Sequence, residues 1–517
     1  MELWTGGTIY TMTERDATVE AVLVENGKIV ALGTREQLEQ RADHVYELNG
    51  ATMYPGFVDS HIHLIGYGEL LSKATAADCT TVEQLKAVIK EEAAKRSGEE
   101  WLFVDLWDEH HLDRLPTIDE LDALYDGPMA LRRVCRHVCL TNHAGLRAIG
   151  IGNTSFEQNE QVGRDERGVL NGLLYENMND LLVTEATKNV TDEQLEQYVE
   201  KAIQQLTAAG ITGVHSEDLG YFGHYSKSLR AYKKVIGKNT PFRAHLLRNH
   251  RVFQQMIDDS VTVDGEYLQF GAMKLFADGS FGGNTAWVKD AYVGTETTGI
   301  AIHTEAEFEK WVQLARKYDS GIAVHAIGDA AVDQLIRHLE NVPQVTMRDR
   351  YIHGSLCSIE QMRALRNLNV IVDAQPTFLL SDMPWLQDKL GQRDALLYAW
   401  NTFLKEGLVL GAGTDAPIEN ISPFEVIWAG VTRKKPSTNH VFHADERLTR
   451  YEMVHMYTAG SAYTGNQEMY RGKIEEGFDA DFTILDTDLL RCEEEAILKA
   501  NVRQTVVDGK VVYSSKL

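Results

Sequence analysis

Short apolar runs alternate with amphipathic stretches through the middle of the chain. The apolar runs read GITGVHS, LQFGAMKLFA, GIAVHA, RYIHGS, VIVDAQ and LVLGAG. Between them, segments such as TDEQLEQYVEKAIQQLTAAG, EAEFEKWVQLARKYDSG and SIEQMRALRNLN have helical spacing, and several carry typical capping residues at their ends. Apolar strands that alternate with amphipathic helices indicate a parallel sheet buried on both faces. About eight such units predict an α/β fold, a (β/α)8 barrel of the TIM type.

Both ends of the chain have a different pattern, of short strands and hairpins. AVLVENGKIVALG contains an Asn-Gly turn, and VRQTVVDGKVVYSS contains an Asp-Gly turn between alternating apolar residues. Two β-rich ends predict one small β-sandwich built from residues 1–55 and 468–517. Residues 56–467 then form the barrel, with an insertion at about 66–200 where the strand and helix alternation breaks down.

Composition and charge narrow the classes of function. The chain has 517 residues, of which 44% are hydrophobic and 25% are charged, as in ordinary globular proteins. Its net charge of −25 argues against general nucleic-acid binding, which needs a basic face. No basic start precedes a long apolar stretch, and no run reaches the roughly 18 apolar residues of a membrane span. We expect a cytoplasmic protein, and we attribute the match of Ser515-Lys516-Leu517 to a peroxisomal signal to coincidence.

The five cysteines form no Cys-x-x-Cys pair, which is typical of reduced thiols in a cytosolic protein. Cys135 and Cys139 lie four positions apart in RRVCRHVCL, with His137 between them. They could form a metal clip. The segment also fits a single packed strand with these three residues on one face, and the strand is the favoured interpretation.

Several apolar runs end on side chains that bind metals. GFVDSHIHL places His61 and His63 two positions apart, so in a strand both imidazoles face the same side, together with Asp59. His325 ends the run GIAVH, and His353 ends the run YIH. Each histidine alone could be a buried residue bonded to the backbone. As a set they end strands that meet at one mouth of a parallel barrel, where imidazoles bind zinc.

Two further residues belong to this pattern. Asp415, in GAGTDAP, is either a helix N-cap or a metal-binding carboxylate that takes a proton from water. Lys274 lies among apolar residues in FGAMKLFADGS, where a buried ammonium group is costly. It either forms a salt bridge with Asp278 or reacts with carbon dioxide to give a carbamate, a carboxylate that can bridge two cations.

These segments resemble the amidohydrolase superfamily, and within it the YtcJ-like group that includes N-substituted formamide deformylase (amidohydrolase 3 type). The resemblance runs nearly end to end, through YPGFVDSHIHL, MKLFADGSFGGNTA, VHAIGDAAV, IHGS, AQPTFLLSDMPW, GTDAPIENISPFEVI and GKIEEGFDADFTILD. It implies one or two divalent metal ions, expected to be zinc, with the lysine carbamylated between them. The implied metal ligands are His61, His63, Lys274, His325, His353 and Asp415.

The resemblance implies a metal-dependent hydrolase of a C–N bond in an N-acyl or N-formyl amine or an amide, with Asp415 as the catalytic proton carrier. Two alternatives stay open: a hydrolytic deaminase on the same barrel, and a non-catalytic regulatory protein on this fold. The expected partner is a small-molecule substrate, with no nucleic acid and no membrane, and a homodimer is left open. The candidate substrate contacts are Trp107, His137, Asp278, Ser280, Gln375 and Trp385.

Overall fold

Eight parallel strands form the centre of the computed structural model, and each strand hydrogen-bonds to the next one in chain order. The structure describes residues 1–109, 111–133, 138–152, 161–383, 385–435 and 440–515. From the first barrel strand to the eighth, the strands are Phe57–Ile62, Ile211–Ser216, Arg243–Asn249, Leu268–Phe276, Ile322–His325, Arg350–His353, Ile371–Ala374 and Leu410–Ala412.

The sheet closes between the eighth strand and the first. The backbone N–H of Asp415 donates to the carbonyl of His61 at 2.8 Å, and the N–H of His63 donates to the carbonyl of Ala416 at 2.8 Å. Closure removes the free edges that an open sheet would expose. The (β/α)8 barrel predicted from the alternating pattern is confirmed.

The barrel helices begin where the sequence places their caps. Thr304 and Ser358 head the helices Glu305–Lys317 and Ile359–Asn367, and each forms a reciprocal capping box with the residue three positions later. The buried side chains of the first of these helices recur at helical spacing, as Phe308, Val312 and Ala315. Other helices are Leu64–Leu70, Tyr225–Val235, His250–Asp258, Asp329–Glu340, Pro376–Asp382, Trp385–Leu390, Trp400–Lys405, Pro423–Thr432, Arg450–His455 and Ser461–Thr464.

Strands from both ends of the chain form a second sheet. Thr52–Pro55 pairs antiparallel with Phe482–Leu485, so the N-terminal and C-terminal segments meet in the middle of this sheet. Its remaining strands are Glu2–Tyr10, Thr18–Glu25, Lys28–Gly33, His44–Glu47, Val502–Val507 and Lys510–Ser514. A shared apolar core contains side chains from both ends, among them Trp4, Met53 and Ile484. The prediction that both termini build one β-structure is confirmed.

Residues 68–201 form a compact unit of their own. Its mixed sheet runs in the order Val162–Arg164, Leu170–Tyr175, Val138–Leu140, Met129–Arg133, Leu102–Trp107 and Ala74–Thr75. Its helices are Val82–Ala93, Ile118–Asp122, His143–Ala148 and Glu176–Thr187, and helix Asp192–Ala208 leads on to the second barrel strand. None of the helices in the described part of the chain is long and apolar enough to cross a membrane.

The interpretation of RRVCRHVCL as one strand is wrong. Met129–Arg133 and Val138–Leu140 pair antiparallel, with Cys139 opposite Arg132, so the chain reverses within this run. Pairs of basic residues alternate with pairs of apolar residues along this run, with no Gly, Pro, Asn or Asp among them, so the sequence gave no turn signal. Cys135 and His137 lie outside the described residues.

Candidate metal centre

All six predicted metal ligands lie at or near the carboxyl ends of barrel strands. They are His61 and His63 at the end of the first strand, Lys274 on the fourth, His325 on the fifth, His353 on the sixth and Asp415 after the eighth. The carboxyl ends of barrel strands point to one mouth, which is where catalytic groups of this fold lie. Side-chain distances of 3.4 Å or less join His61, His63, Lys274 and Asp415, and a distance of 2.9 Å joins His325 and His353. Ligand atoms of His61, His353 and Asp415 lie within 4.8 Å of one another, so the two groups are neighbours.

The Asp415 carboxylate faces the two histidines of the first strand. Its Oδ1 atom lies 3.4 Å from Nε2 of His61 and 3.3 Å from Nε2 of His63. This oxygen is buried and accepts no hydrogen bond from any residue that the structure describes. Two ligand atoms bound at 2.0–2.1 Å to one tetrahedral zinc ion lie about 3.3 Å apart. The spacing therefore fits a cation held between carboxylate and imidazoles.

The hydrogen bonds of His63 point to the same conclusion. Its Nδ1 atom lies 2.6 Å from the backbone carbonyl of Glu217, which can only accept, so Nδ1 carries the proton. In a neutral ring, Nε2 then directs a lone pair at the Asp415 carboxylate. The sequence analysis did not single out Glu217. The available signal was the acidic pair Glu217-Asp218 directly after an apolar strand.

His325 and His353 present a second pair of facing lone pairs. Nε2 of His325 donates to the carbonyl of Gly279 at 2.9 Å, and Nδ1 of His353 lies 2.9 Å from Oε1 of Gln375. With these protons assigned, Nδ1 of His325 and Nε2 of His353 are both acceptors, 2.9 Å apart. A cation near both atoms removes their repulsion. One ligand atom each of His353, His61 and Asp415 also lie within 4.8 Å of one another.

Lys274 is buried at this centre, with 1% of its surface exposed. Its Nζ atom lies 3.4 Å from Nε2 of His61 and 4.5 Å from the ring centre of Phe276, and burial lowers the pKa of the amine. The alternative of a salt bridge to Asp278 is wrong. The Asp278 carboxylate instead accepts the backbone N–H groups of the loop after the fifth strand, at 2.8 and 3.0 Å. No carboxylate of the described residues forms an ion pair with Lys274.

Burial keeps most of the imidazoles neutral, which is the form that binds a metal. It lowers the pKa of His61 and His325 well below the usual value and that of His353 to about 4. His63 differs. Burial lowers its pKa, but the nearby Asp415 carboxylate and the negative charges of Glu217 and Asp218 outweigh burial and raise it to about 9. A cation at this site therefore takes the place of a proton on His63.

Asp59, expected on the ligand face, joins the first strand to the segment after the eighth instead. Its Oδ1 atom accepts the backbone N–H of His61 at 3.0 Å, and its Oδ2 atom accepts the hydroxyl of Thr414 at 2.6 Å. Burial raises its pKa to about 7. Both oxygens have protein partners, so Asp59 positions the strands rather than binding a metal.

Two of the predicted substrate contacts support the ligand histidines. Gln375 holds His353 as described, and Oδ1 of Asp278 lies 3.5 Å from Nε2 of His325. A residue that lies behind a metal ligand fixes the orientation of its ring and raises its basicity. These two residues therefore have a structural role at the metal centre that the sequence analysis did not foresee.

The remaining predicted substrate contacts have no described contact with the six predicted metal ligands. Trp107 is in the core of the inserted unit and donates to the carbonyl of Leu131 at 2.6 Å, which favours a packing role. Trp385 donates to the carbonyl of Ser381 at 2.9 Å. The backbone of Ser280 anchors the turn after the fourth strand. His137 lies outside the described residues.

Comparison with known proteins identifies the family of this chain. Residues 44–513 match the amidohydrolase family. The chain belongs to this family. The putative amidohydrolase YtcJ of Bacillus subtilis (strain 168) is 36% identical over 525 aligned positions, which cover 99% of each protein. N-substituted formamide deformylase of Arthrobacter pascens is 25% identical, over 98% of this chain and 97% of that enzyme.

A solved structure agrees with this membership. An uncharacterized metal-dependent hydrolase from Pyrococcus horikoshii OT3 matches with a TM-score of 0.83 and 27% identity, over 96% of this chain and 99% of that one. The resemblance to the YtcJ-like group of amidohydrolases is confirmed, and the chain is a metal-dependent hydrolase. The predicted ligands are imidazoles and a carboxylate, and one buried oxygen of that carboxylate has no described hydrogen-bond partner. This set of ligands fits a divalent cation.

Proposed function

We propose that the chain hydrolyses the C–N bond of a small-molecule N-acyl or N-formyl amine or amide. One observation carries the proposal: the unpartnered Asp415 oxygen lies 3.3–3.4 Å from two imidazole nitrogens at the barrel mouth. A buried carboxylate beside imidazole nitrogens needs positive charge, which a metal cation supplies when it replaces the proton on His63. The family relationship to an N-substituted formamide deformylase supports this class of bond.

The residues divide the chemistry between them. A divalent cation, for which we propose zinc, supplies Lewis acidity that polarises a carbonyl and lowers the pKa of water to about 7. Asp415 accepts a proton from the attacking water and delivers it to the leaving nitrogen, first as general base and then as general acid. The water oxygen forms the new C–O bond, the C–N bond breaks, and a carboxylate and an amine leave.

We propose further that Lys274 is carbamylated. Its amine nitrogen adds to the carbon of carbon dioxide and loses a proton, which turns a buried cation into a carboxylate beside His61. The support is geometric, because the amine is buried and lacks an ion-pair partner in the described structure. Protein loaded with carbon-13 bicarbonate should show a carbamate carbonyl signal by NMR, and a Lys274→Met variant with the same signal would contradict the assignment.

The double variant His61→Ala/His63→Ala tests the proposed function. It removes two imidazoles but leaves the barrel strands and their backbone pairing intact. We expect metal content to fall to the background level and hydrolysis of N-formyl and N-acyl amines to be lost, while circular dichroism still reports a folded barrel. Metal is measured by atomic emission, and the products are measured as released amine and carboxylate.

The matched control is His44→Ala, because His44 is an exposed histidine on a strand of the terminal sheet. It should retain the metal and the activity of the wild-type protein. Full hydrolysis by the double variant would place the reaction elsewhere. Release of ammonia in place of a carboxylate would identify a deaminase instead.

A further inference from the structure

The first barrel strand contains a bulge at the point where it carries His61. Asp59 is paired in register with Val214 of the second strand, and Ile62 is paired with Ser216. Three steps along the first strand therefore oppose two steps along the second, so one extra residue lies between the two pairs. A bulge interrupts the ladder of backbone hydrogen bonds and redirects a side chain, and bulges are common beside active sites.

Two side chains bind the backbone groups inside this bulge. Nη2 of Arg350 donates to the carbonyl of Ser60 at 2.6 Å, and Oδ1 of Asp59 accepts the N–H of His61 at 3.0 Å. This carbonyl and this N–H belong to one peptide group, the one that joins Ser60 to His61. Ser60 and His61 are 0% and 1% exposed, so water does not replace a lost partner from the surface. Arg350 and Asp59 therefore fix the peptide plane from which the His61 side chain departs.

The guanidinium group of Arg350 is itself held by the seventh barrel strand. Its Nε atom donates to Oδ2 of Asp373 at 2.8 Å, and the two side chains are 1% and 0% exposed. A guanidinium group is planar and directs its N–H groups in fixed directions. The bond to Asp373 therefore determines where Nη2 points, and Nη2 is the atom that reaches Ser60.

The strands that meet at Arg350 also carry residues of the metal centre. Arg350 begins the sixth strand, which ends at His353. Asp373 lies two residues before Gln375, whose Oε1 atom lies 2.9 Å from Nδ1 of His353. The ring centres of His61 and His353 are 5.7 Å apart. One buried side chain thus joins the backbone of His61 to the two strands that position His353.

Arg350 has no direct chemical role at this centre. A guanidinium group has no acceptor atom and stays protonated, so it neither binds a metal nor carries a proton in hydrolysis. Its positive charge is balanced by the Asp373 carboxylate, with which it forms a buried ion pair. Any effect of Arg350 on the reaction therefore passes through the position of His61.

We propose that Arg350 is a positioning residue of the metal centre, which holds the peptide group before His61 so that this imidazole faces His353 and Asp415. The inference rests on the proposed function, because it takes His61 as a metal ligand. The carbonyl of His61 also accepts the N–H of Asp415 at 2.8 Å, so a shift of this backbone moves a second predicted ligand. Loss of a residue that orients a ligand typically costs about 10–100-fold in metal affinity.

Two variants test the positioning role. Arg350→Met/Asp373→Leu replaces both members of the buried ion pair by apolar side chains, a change that often leaves the stability of a protein unaltered. Arg350→Lys keeps the charge but presents one donor nitrogen in place of the planar fork. Each protein is loaded with Co²⁺, whose visible absorption spectrum reports the geometry of its ligands, and competition with a chelator measures the affinity. We expect an altered spectrum and an affinity lower by about 10–100-fold in the double variant, with a smaller loss in Arg350→Lys.

Arg243→Met/Asp481→Leu is the matched control, because it removes another buried ion pair of the barrel. The side chains of this pair have no described contact with the six metal-centre residues. The control should keep the Co²⁺ spectrum and affinity of the wild-type protein.

The wild-type spectrum and affinity in both Arg350 variants would overturn the inference, and Arg350→Lys alone decides if the double variant does not fold. These measurements need no turnover. A failure of the proposed function appears instead as absent hydrolysis in the wild-type protein, or as full metal binding by His61→Ala/His63→Ala.

Discussion

At the scale of single residues, the hydrogen bond behind each histidine decides which nitrogen can bind a metal. Carbonyls of Glu217 and Gly279 fix the protons of His63 and His325, and the Gln375 side chain does the same for His353. The sequence pointed to these histidines as candidate ligands because a histidine at the end of an apolar strand is unusual. It did not reveal their partners, because every residue has a backbone carbonyl and only the fold selects the one that lies behind a ring.

Gln375→Leu should weaken metal binding without removing a ligand. It deletes the acceptor at 2.9 Å from Nδ1 of His353, so the ring loses its fixed orientation and tautomer. Loss of such a partner typically costs about 10–100-fold in metal affinity. Competition with a chelator measures the affinity. Gln375→Glu keeps an acceptor oxygen and should retain most of it, whereas wild-type affinity in the leucine variant would refute the positioning role.

At the scale of elements, the barrel strands were predictable in so far as they are apolar. The third strand was missed, because RAHLLRN carries Arg243, His245 and Arg248 and does not form an apolar run. Arg243 is nevertheless buried in the barrel, because Asp481 from a distant segment pairs with it. The backbone conformation at the strand ends could not be predicted from the sequence either. His353 and Asp415 have φ angles of 87° and 56°, a strained region that often marks functional sites.

A buried ion pair joins two neighbouring strands of the inserted unit. Nε and Nη2 of Arg132 each donate to the Asp105 carboxylate at 2.8 Å, and the two residues are opposite each other in register. Asp105→Ala should destabilise this unit by about 3 kcal/mol, because it leaves a buried guanidinium without its main partner. Hydrogen exchange and limited proteolysis should locate the loss within residues 68–201, with metal content unchanged.

Lys95→Ala is the control for this pair. Its ammonium group is exposed and pairs with Glu91, which is exposed, and with Glu92, which keeps Arg96 as a second partner. Ion pairs of exposed groups contribute little to stability. Equal exchange rates in the Asp105 and Lys95 variants would show that the buried Asp105–Arg132 pair stabilises the unit no more than an exposed pair does.

At the scale of the whole molecule, the terminal sheet is hydrogen-bonded to the barrel floor, the end of the barrel where its strands begin. The hydroxyl of Thr483 donates to the carbonyl of Gly210 at 2.7 Å and accepts the N–H of Phe57 at 2.9 Å. The hairpins at both ends predicted a composite β-structure. Their attachment to the barrel was not predictable, since it depends on single polar contacts between positions hundreds of residues apart.

Two buried histidines, His215 on the second barrel strand and His245 on the third, should make stability fall in acid. Burial first, and then the charges of Arg350, Arg248 and Arg471, lower the pKa of His245 to about 3, and the pKa of His215 is also well below its usual value. The unfolded chain takes up protons on these rings below about pH 6.5, whereas the folded chain does not. The free energy of unfolding therefore keeps its full value above that pH. Between there and about pH 3 it falls by about 1.4 kcal/mol per pH unit for each ring. Melting temperatures measured from pH 7 to pH 4.5 should fall more steeply for the wild-type protein than for His215→Leu/His245→Leu. Parallel plots of melting temperature against pH for the two proteins would mean that the folded protein takes up protons on this pair as readily as the unfolded chain does.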